Sequence, residues 1–242
     1  LDGQSIAHNS GLSCFAEYAV VPRNSVQKIP SDVPMHDAAL FGCAVVTGVG
    51  AAVNTANVKP GETVAVVGLG GVGLSCLLGA IVAGAGRILA IDVSDEKLAL
   101  ARQLGATDTF NARDADCIER ILATTDGGVD SAFEMAGTIK AMELAYKITV
   151  RGGQTVSAGL SPATAQFPIN HYAMVQDGRT VKGSYMGGCV IARDVPRYIS
   201  LYKDRKLPVD RLRSALISLD EVNEGFDRLA DAAVVRQMIV FD

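Results

Sequence analysis

One stretch constrains this chain more than any other: Thr63–Asp92, which reads TVAVVGLGGVGLSCLLGAIVAGAGRILAID. Thr63–Val67 has the β-branched density of a strand buried on both faces, and Gly68, Gly70 and Gly73 follow it as G-x-G-x-x-G. Gly68 permits a tight turn, Gly70 lets a pyrophosphate approach the backbone, and Gly73 lets the next helix lie close to the strand. That helix starts in the turn, so its unpaired N–H groups and its dipole face the phosphates. Arg87–Ile91 reads as a second strand. Asp92 ends it roughly twenty residues past the last glycine, where an acid accepts hydrogen bonds from the ribose hydroxyls of NAD. A glycine triplet alone is a common turn; following a strand, opening a helix and with its acid in place, it specifies a dinucleotide site.

No charge lies between Glu62 and Arg87, so a membrane span is the competing reading of the stretch. The glycines break its middle, its first half is strand-like and no second such segment occurs. Two buried elements joined by a turn fit better.

The chain has 242 residues, 49% hydrophobic and 20% charged, which suits a well-buried α/β protein of one or two domains. A net charge of −4, no tryptophan and 5% aromatics argue against nucleic-acid and acidic-membrane partners. The cysteines, Cys14, Cys43, Cys76, Cys117 and Cys189, are odd in number and form no C-x-x-C pair. Reduced, mostly buried thiols and a cytoplasmic location are the expectation. The first residue is Leu1, and no targeting pattern precedes the folded region. A start inside a longer parent sequence is expected.

In chain order, Leu1–Gly11 reads as loop, and Phe15–Val21 (FAEYAVV) and Val26–Ile29 read as strands, each closed by a proline. Asp37–Asn57 is a helical zone rich in alanine and interrupted by glycine. Beyond Asp92, Ser94 caps a helix over Asp95–Leu104, which Gly105 stops. Then come a strand at Asp108–Asn111, a helix at Ala115–Thr124, a strand at Val129–Glu134 and a helix at Thr138–Thr149. Gly152-Gly153 reads as a turn before a strand at Gln154–Ala158, and Thr180–Ser184 as the last strand of the set. This alternation predicts α/β architecture, a doubly wound parallel (Rossmann) sheet. The tail predicts a helix from Asp194 to Tyr202, a capping box Ser218–Glu221 opening a helix to Leu229, and a closing strand Arg236–Phe241.

FAEYAVV, FGCAVVTGVGAAVNTA, VAVVGLGGVGL, IDVSDEKLALARQLGAT, GRTVKGSYMGG, NEGFD and RQMIVF occur in that order. Together they make the chain, from about Cys14 to its end, similar to the zinc-containing medium-chain alcohol dehydrogenase family. The resemblance implies an NAD-binding domain at residues 45–185. It also implies remnants of a catalytic domain at 1–44 and its C-terminal part at 186–242. It further implies that the family's other zinc ligands, its structural zinc lobe and its proton-relay residue belong to a part with no counterpart here.

The resemblance assigns individual roles. Cys43, in FGC, matches a catalytic zinc ligand; read alone, it is more often a buried structural cysteine, although a thiolate is favoured before a helix. Thr47, one turn on, matches a catalytic residue packed beside the nicotinamide; its other reading is a helical threonine bonded backward. Gly68, Gly70, Gly71, Val72 and Gly73 form the cofactor turn, with Val72 pressing on the nicotinamide ring. Ala158 and Tyr185 match positions whose backbone groups hold the carboxamide. Asp92 takes both adenosine ribose hydroxyls, and Lys97 either reaches that ribose or is a solvated lysine. Arg236 matches an arginine that clamps the pyrophosphate. The sequence Val93-Ser94-Asp95-Glu96 after Asp92 adds acids and no arginine, so NAD should bind at least about tenfold tighter than NADP. His8, His36 and His171 have no ligand spacing.

The implied function is an NAD-dependent, zinc-assisted alcohol or aldehyde oxidoreductase, present as a truncated chain unable to turn over alone and without stoichiometric zinc, since one thiolate cannot build an open three-ligand site. The alternatives are a non-catalytic dinucleotide-binding and dimerisation module, or a zinc-free reductase of the same superfamily. Ala158–Asp177 carries Phe167, Ile169, Tyr172 and Met174, apolar beyond the needs of a loop. The resemblance implies pairing there, in a homodimer or homotetramer.

Overall fold

β1 (Thr63–Val67) is central to a six-stranded parallel sheet in the computed structural model, which describes residues 3, 12, 14–230 and 234–241. Its side chains alternate between two cores: Val64 and Val66 enter one, Ala65 and Val67 the other, and all are buried. A strand covered on both faces has no polar side, which is why its sequence is an unbroken apolar run. β2 (Arg87–Asp92) and β4 (Val129–Glu134) flank it. With β3 (Asp108–Asn111), β5 (Thr149–Ser157) and β6 (Thr180–Gly183) the order is β3-β2-β1-β4-β5-β6. This is a doubly wound sheet, and the winding reverses between β1 and β4, where ligands of such sheets bind.

One face is covered by α2 (Ala44–Gly50), α3 (Gly71–Ala83), α4 (Asp95–Leu104) and α8 (Ile191–Lys203); the other by α5 (Cys117–Thr124) and α6 (Ile139–Lys147). α2 and α3 pack unusually closely. A Cβ on Gly48 would collide with the Val72 carbonyl, and one on Gly79 would lie 2.8 Å from the Val49 Cα. Glycine at both contacts brings the backbone at the end of α2 against the length of α3. The helical zone is segmented as its glycines predict. α1 (Met35–Ala38) and a 3-10 turn to Gly42 come first, Cys43 breaks the helix, and α2 runs into a π-helical turn, Ala51–Ala56. No single helix among the described residues is long and apolar enough to cross a membrane.

The predicted elements from residue 63 to 134 agree with the structure within two residues at their ends, and β1, α4, β3 and β4 agree at both. Ser94 accepts the Lys97 amide as a cap, and Gly105 takes the left-handed conformation (φ 118°) that stops α4. Elsewhere the expectations need correction. Phe15–Val21 is not a strand; Tyr18 and Val20 are fully exposed, and no strand among the described residues pairs with it. Val26 has an extended backbone (φ −117°, ψ 142°), but Val26–Ile29 is also unpaired. A β-favouring pattern selects the dihedrals, not the partner. Gly152-Gly153 is no turn: it lies inside β5 as a bulge, with Val129 opposite Thr149 but Ser131 opposite Gln154. α8 begins three residues before Asp194, whose carboxylate accepts the Val190 amide at 2.9 Å. Of the predicted Ser218–Glu221 box one half is present: Glu221 accepts the Ser218 amide at 2.8 Å, but the Ser218 hydroxyl also donates to Glu221 (2.9 Å), and α9 (Val222–Ala230) begins after both. β8 (Gln237–Ile239) is shorter than predicted and pairs with β7 (Ala215–Ile217), which periodicity did not mark. Within the apolar stretch Ala158–Asp177, His171–Asp177 forms a helix, α7, that the sequence pattern does not mark. His8 and nearly all of Leu1–Gly11 lie outside the described residues.

Candidate functional site

The glycine turn is built by steric necessity. Gly68 has φ 93°, and its Cα lies against the Ala136 amide of the segment after β4. A Cβ on Gly73 would collide with the Gly68 carbonyl, so only glycine closes the helix onto the turn. Gly70 is the N-cap of α3 and makes no side-chain cap, and a Cβ there would meet nothing within 4 Å. The first N–H groups of α3 therefore open toward the site.

Arg236, from the segment before β8, reaches this opening. Its guanidinium lies on Gly71, where a Cβ would strike Nε, and that Nε is buried without a hydrogen-bond partner among the described residues. A buried guanidinium nitrogen lacking an acceptor, beside an uncapped helix N-terminus, is a built place for an anion.

Two clefts open at the carboxyl ends of the strands. The smaller, ≈ 310 Å³, is bordered by Gly68, Asp92, Val93, Ala136 and Lys140. The larger, ≈ 700 Å³, brings together Cys43, Thr47, Val72, Ala158, Ser184, Tyr185 and Met186. Of the residues singled out in the sequence, Gly68 and Asp92 thus border one cleft and Cys43, Thr47, Val72, Ala158 and Tyr185 the other. Gly70, Gly71, Gly73 and Arg236 form the turn and its cover. Lys97 borders neither cleft.

Asp92 is buried and heavily engaged. Its Oδ2 accepts the Leu69 amide at 2.6 Å, and Oδ1 accepts those of Val93 (2.8 Å) and Ser94 (3.0 Å). A carboxylate offers roughly four acceptor sites. Three are engaged by the chain's own amides, which leaves about one for the ribose hydroxyls expected there. The Ala158 amide is likewise donated to the Glu134 carbonyl (3.0 Å), which leaves its own carbonyl for a ligand. The Tyr185 carbonyl accepts the Gly188 amide at 3.0 Å.

Glu134 was missed. It ends β4 as Asp92 ends β2, buried, with Oε1 accepting the Ala136 (2.8 Å) and Gly137 (2.6 Å) amides and Oε2 the Ser157 hydroxyl (2.7 Å). It ties the wall of the small cleft to that of the large one. A partial signal was present: Glu134 is an acid at a strand end, as Asp92 is, and Gly137 follows it closely. Met186 was missed as well; its sulfur lies 3.8 Å from the Thr47 hydroxyl.

Cys43 is exposed at the start of α2, but the described residues hold no group of three His, Cys, Asp or Glu side chains placed to bind a metal. They do not by themselves fit a catalytic zinc, and no chemical step here is routed through one. The other thiols differ from the expectation of general burial: Cys76 and Cys117 are buried, Cys189 is half-buried and Cys14 is exposed. Burial pushes the Cys117 thiol up to about 11. His36 lies 3.8 Å from Asp37, and His171 opens α7; neither joins a ligand cluster.

The sheet order, the glycine turn at its reversal and the clefts at the strand ends define a Rossmann-type α/β protein. Within that class the chain belongs to the zinc-binding dehydrogenase family, whose model matches residues 71–204, over half of its length. It is similar to the benzyl alcohol dehydrogenase of Acinetobacter calcoaceticus (30% identity, TM-score 0.91, 95% of this chain and 64% of that one). It is also similar to an alcohol dehydrogenase zinc-binding domain protein of Burkholderia ambifaria (28%, 0.92, 96% and 62%). A third likeness is to the 2R,3R-butanediol dehydrogenase of Bacillus subtilis (30%, 0.77, 89% and 60%). The chain thus spans less than two thirds of each of these structures.

Proposed function

We propose that this chain is the dinucleotide-binding part, with flanking catalytic-domain segments, of an NAD-dependent, zinc-assisted oxidoreductase acting on a small alcohol or aldehyde. The observation that carries the reading is Arg236, whose guanidinium lies on Gly71 at the open N-terminus of α3, with Nε buried and without a partner among the described residues. A pyrophosphate fits there: the arginine and the first α3 amides donate to it, and Gly70 leaves the approach unobstructed. The small cleft then takes the adenosine half, with Asp92 accepting one ribose hydroxyl. The large cleft takes the nicotinamide between Val72 and the Thr47–Met186 wall, with the Ala158 carbonyl available to its carboxamide. Bound NAD supplies the hydride acceptor. This chain's residues position it, exclude water from one ring face and hold the ribose. Zinc at Cys43 requires ligands from outside the described residues.

Calorimetry tests the reading directly. The chain should bind NADH, and Arg236→Ala should weaken that binding about 10- to 100-fold, or about 1.4–2.8 kcal/mol, with a reduced salt dependence. Absence of NADH binding to the unsubstituted chain would sink it. A second reading, a dinucleotide-binding module without turnover, is favoured by the lone cysteine at the large cleft. Measuring alcohol-dependent NAD reduction alongside bound metal separates the two.

Self-association is part of the proposal. β6 is an edge strand, and beside it Tyr172 and Val175 on α7 are exposed, while Phe167 packs edge-on against Tyr146 at 5.8 Å between ring centroids. An unpaired edge beside exposed apolar side chains favours pairing with a second copy. Sedimentation should give a dimer or tetramer at micromolar concentration; monomer alone would refute it.

A further inference from the structure

Behind the large cleft, Met186, Gly187 and Gly188 all have positive φ (48°, 65° and 59°). A run of three such residues is unusual, and one of them is not glycine. Glycine takes such a conformation freely, so the strain lies at Met186, and strain of this kind persists only where its surroundings over-determine it. Here the surroundings are the π-helical turn Ala51–Ala56. The Thr55 hydroxyl is 2.8 Å from that of Ser184, just before the strained run. The Asn54 side-chain nitrogen points at the run and at α8, 3.4 Å from the Gly187 carbonyl, the Cys189 sulfur and the Tyr198 hydroxyl, and 3.5 Å from Asp194 Oδ2. The three contacts to oxygen are long, and two hydrogens serve four acceptors, so the grip is shared rather than strong at any one atom. The packing is correspondingly tight. A Cβ on Gly187 would collide with the Val46 carbonyl, and one on Gly50 would lie 2.5 Å from the Gly187 carbonyl. A π turn widens the helix by one residue and commonly sits at functional sites. It directs the adjacent residues 54 and 55 onto one segment.

Resting on the dinucleotide reading above, we infer that Asn54 and Thr55 are positioning residues: they hold the left-handed turn Met186–Gly188 in place and so set the wall that the nicotinamide half meets. Neither borders the cleft, and both act through Ser184, Tyr185 and Met186, which do. Because the clamp bears on the segment that walls the large cleft and not on the small one, its loss should be felt by the nicotinamide end of the cofactor and not by the adenosine end.

The test uses the full chain with Asn54→Ala, Thr55→Val and Thr55→Ser. Calorimetry with NADH and with ADP-ribose, which lacks the nicotinamide, separates the two ends. Asn54→Ala and Thr55→Val should weaken NADH about tenfold while ADP-ribose changes less than about twofold, and Thr55→Ser, which keeps the hydroxyl, should restore NADH binding. Equal weakening of both ligands, or of neither, overturns the inference. Amide hydrogen exchange supplies an arm that needs no ligand. The amides of Gly188 and Cys189 should exchange about tenfold faster in Asn54→Ala and Thr55→Val, with those of β1 and of the glycine turn unchanged. Were the unsubstituted chain to bind neither ligand, the functional reading would fall, and unchanged exchange at Gly188 and Cys189 would separately overturn the clamp.

Discussion

The two clefts beside the glycine turn are each assembled from four pieces of chain but held together by different means. The small one is bordered by Val67-Gly68, Ile91–Val93, Ala112 and the segment from Ala136 to Leu144, which follow the neighbouring strands β1, β2, β3 and β4, and it is pinned by backbone amides gathered onto Asp92. The large one collects Cys43 and Thr47, then Val72, then Ser157–Leu160, then Gly183–Met186. Nothing local holds these four pieces together. They meet because α2 approaches α3 through Gly48 and Gly79, and because the π turn grips the strained segment after β6. The difference teaches where each cleft is vulnerable: the first in its turn geometry, the second in its helix packing.

The sharpest way to break the small side is Gly73→Ala. The added carbon collides with the Gly68 carbonyl, and since backbone cannot yield as a side-chain tip does, the expected loss is about 3 kcal/mol, at the upper end for overpacking. Urea unfolding of the purified variant measures it, and a loss below about 1 kcal/mol would show that the turn adapts.

Asp92→Ala is next. It leaves three amides, at Leu69, Val93 and Ser94, without their acceptor, at about 2–3 kcal/mol after local relaxation. The same carboxylate should repel a 2′-phosphate, so the unsubstituted chain should prefer NAD to NADP by about tenfold or more, about 1.4 kcal/mol. The substitution should narrow that gap chiefly by weakening NAD. Equal affinities in the unsubstituted chain would remove Asp92 from cofactor choice and leave it a purely structural anchor.

The smallest effect sharpens the large side. Asp194 is buried behind the clamp, and its hydrogen bonds from Arg193 (2.7 and 2.8 Å) hold its carboxyl below the ordinary carboxylate value. A lowered value means stability that is present above the unfolded value, near 3.8, and lost as pH falls through the folded one. Asp194→Asn should therefore cost about 1–2 kcal/mol at pH 7, and the difference from the parent chain should shrink in melts below about pH 3.8. A constant difference across that range would place the effect in packing rather than charge.

Val64 to Val67 had to be a doubly covered strand, because an apolar run of that length bounded by glycine has few other fates. Gly68, Gly73 and Asp92 then followed from spacing alone, as did Ser94 and Gly105 at the ends of α4. These are interactions between residues close in the chain, and their geometry is encoded within a turn or two. Phe15–Val21 shows the limit: its pattern selects an extended chain, but a strand exists only with a partner, and the partner is not local. The sequence likewise marked Cys43, Thr47, Ala158, Tyr185 and Arg236 only through likeness to a family. That Arg236 rests on Gly71 some 165 residues away, or that Asn54 faces Gly187, is decided by how helices pack on the sheet. Periodicity reports which face of an element is buried, whereas the identity of the residue it is buried against is settled only when all elements close around one core.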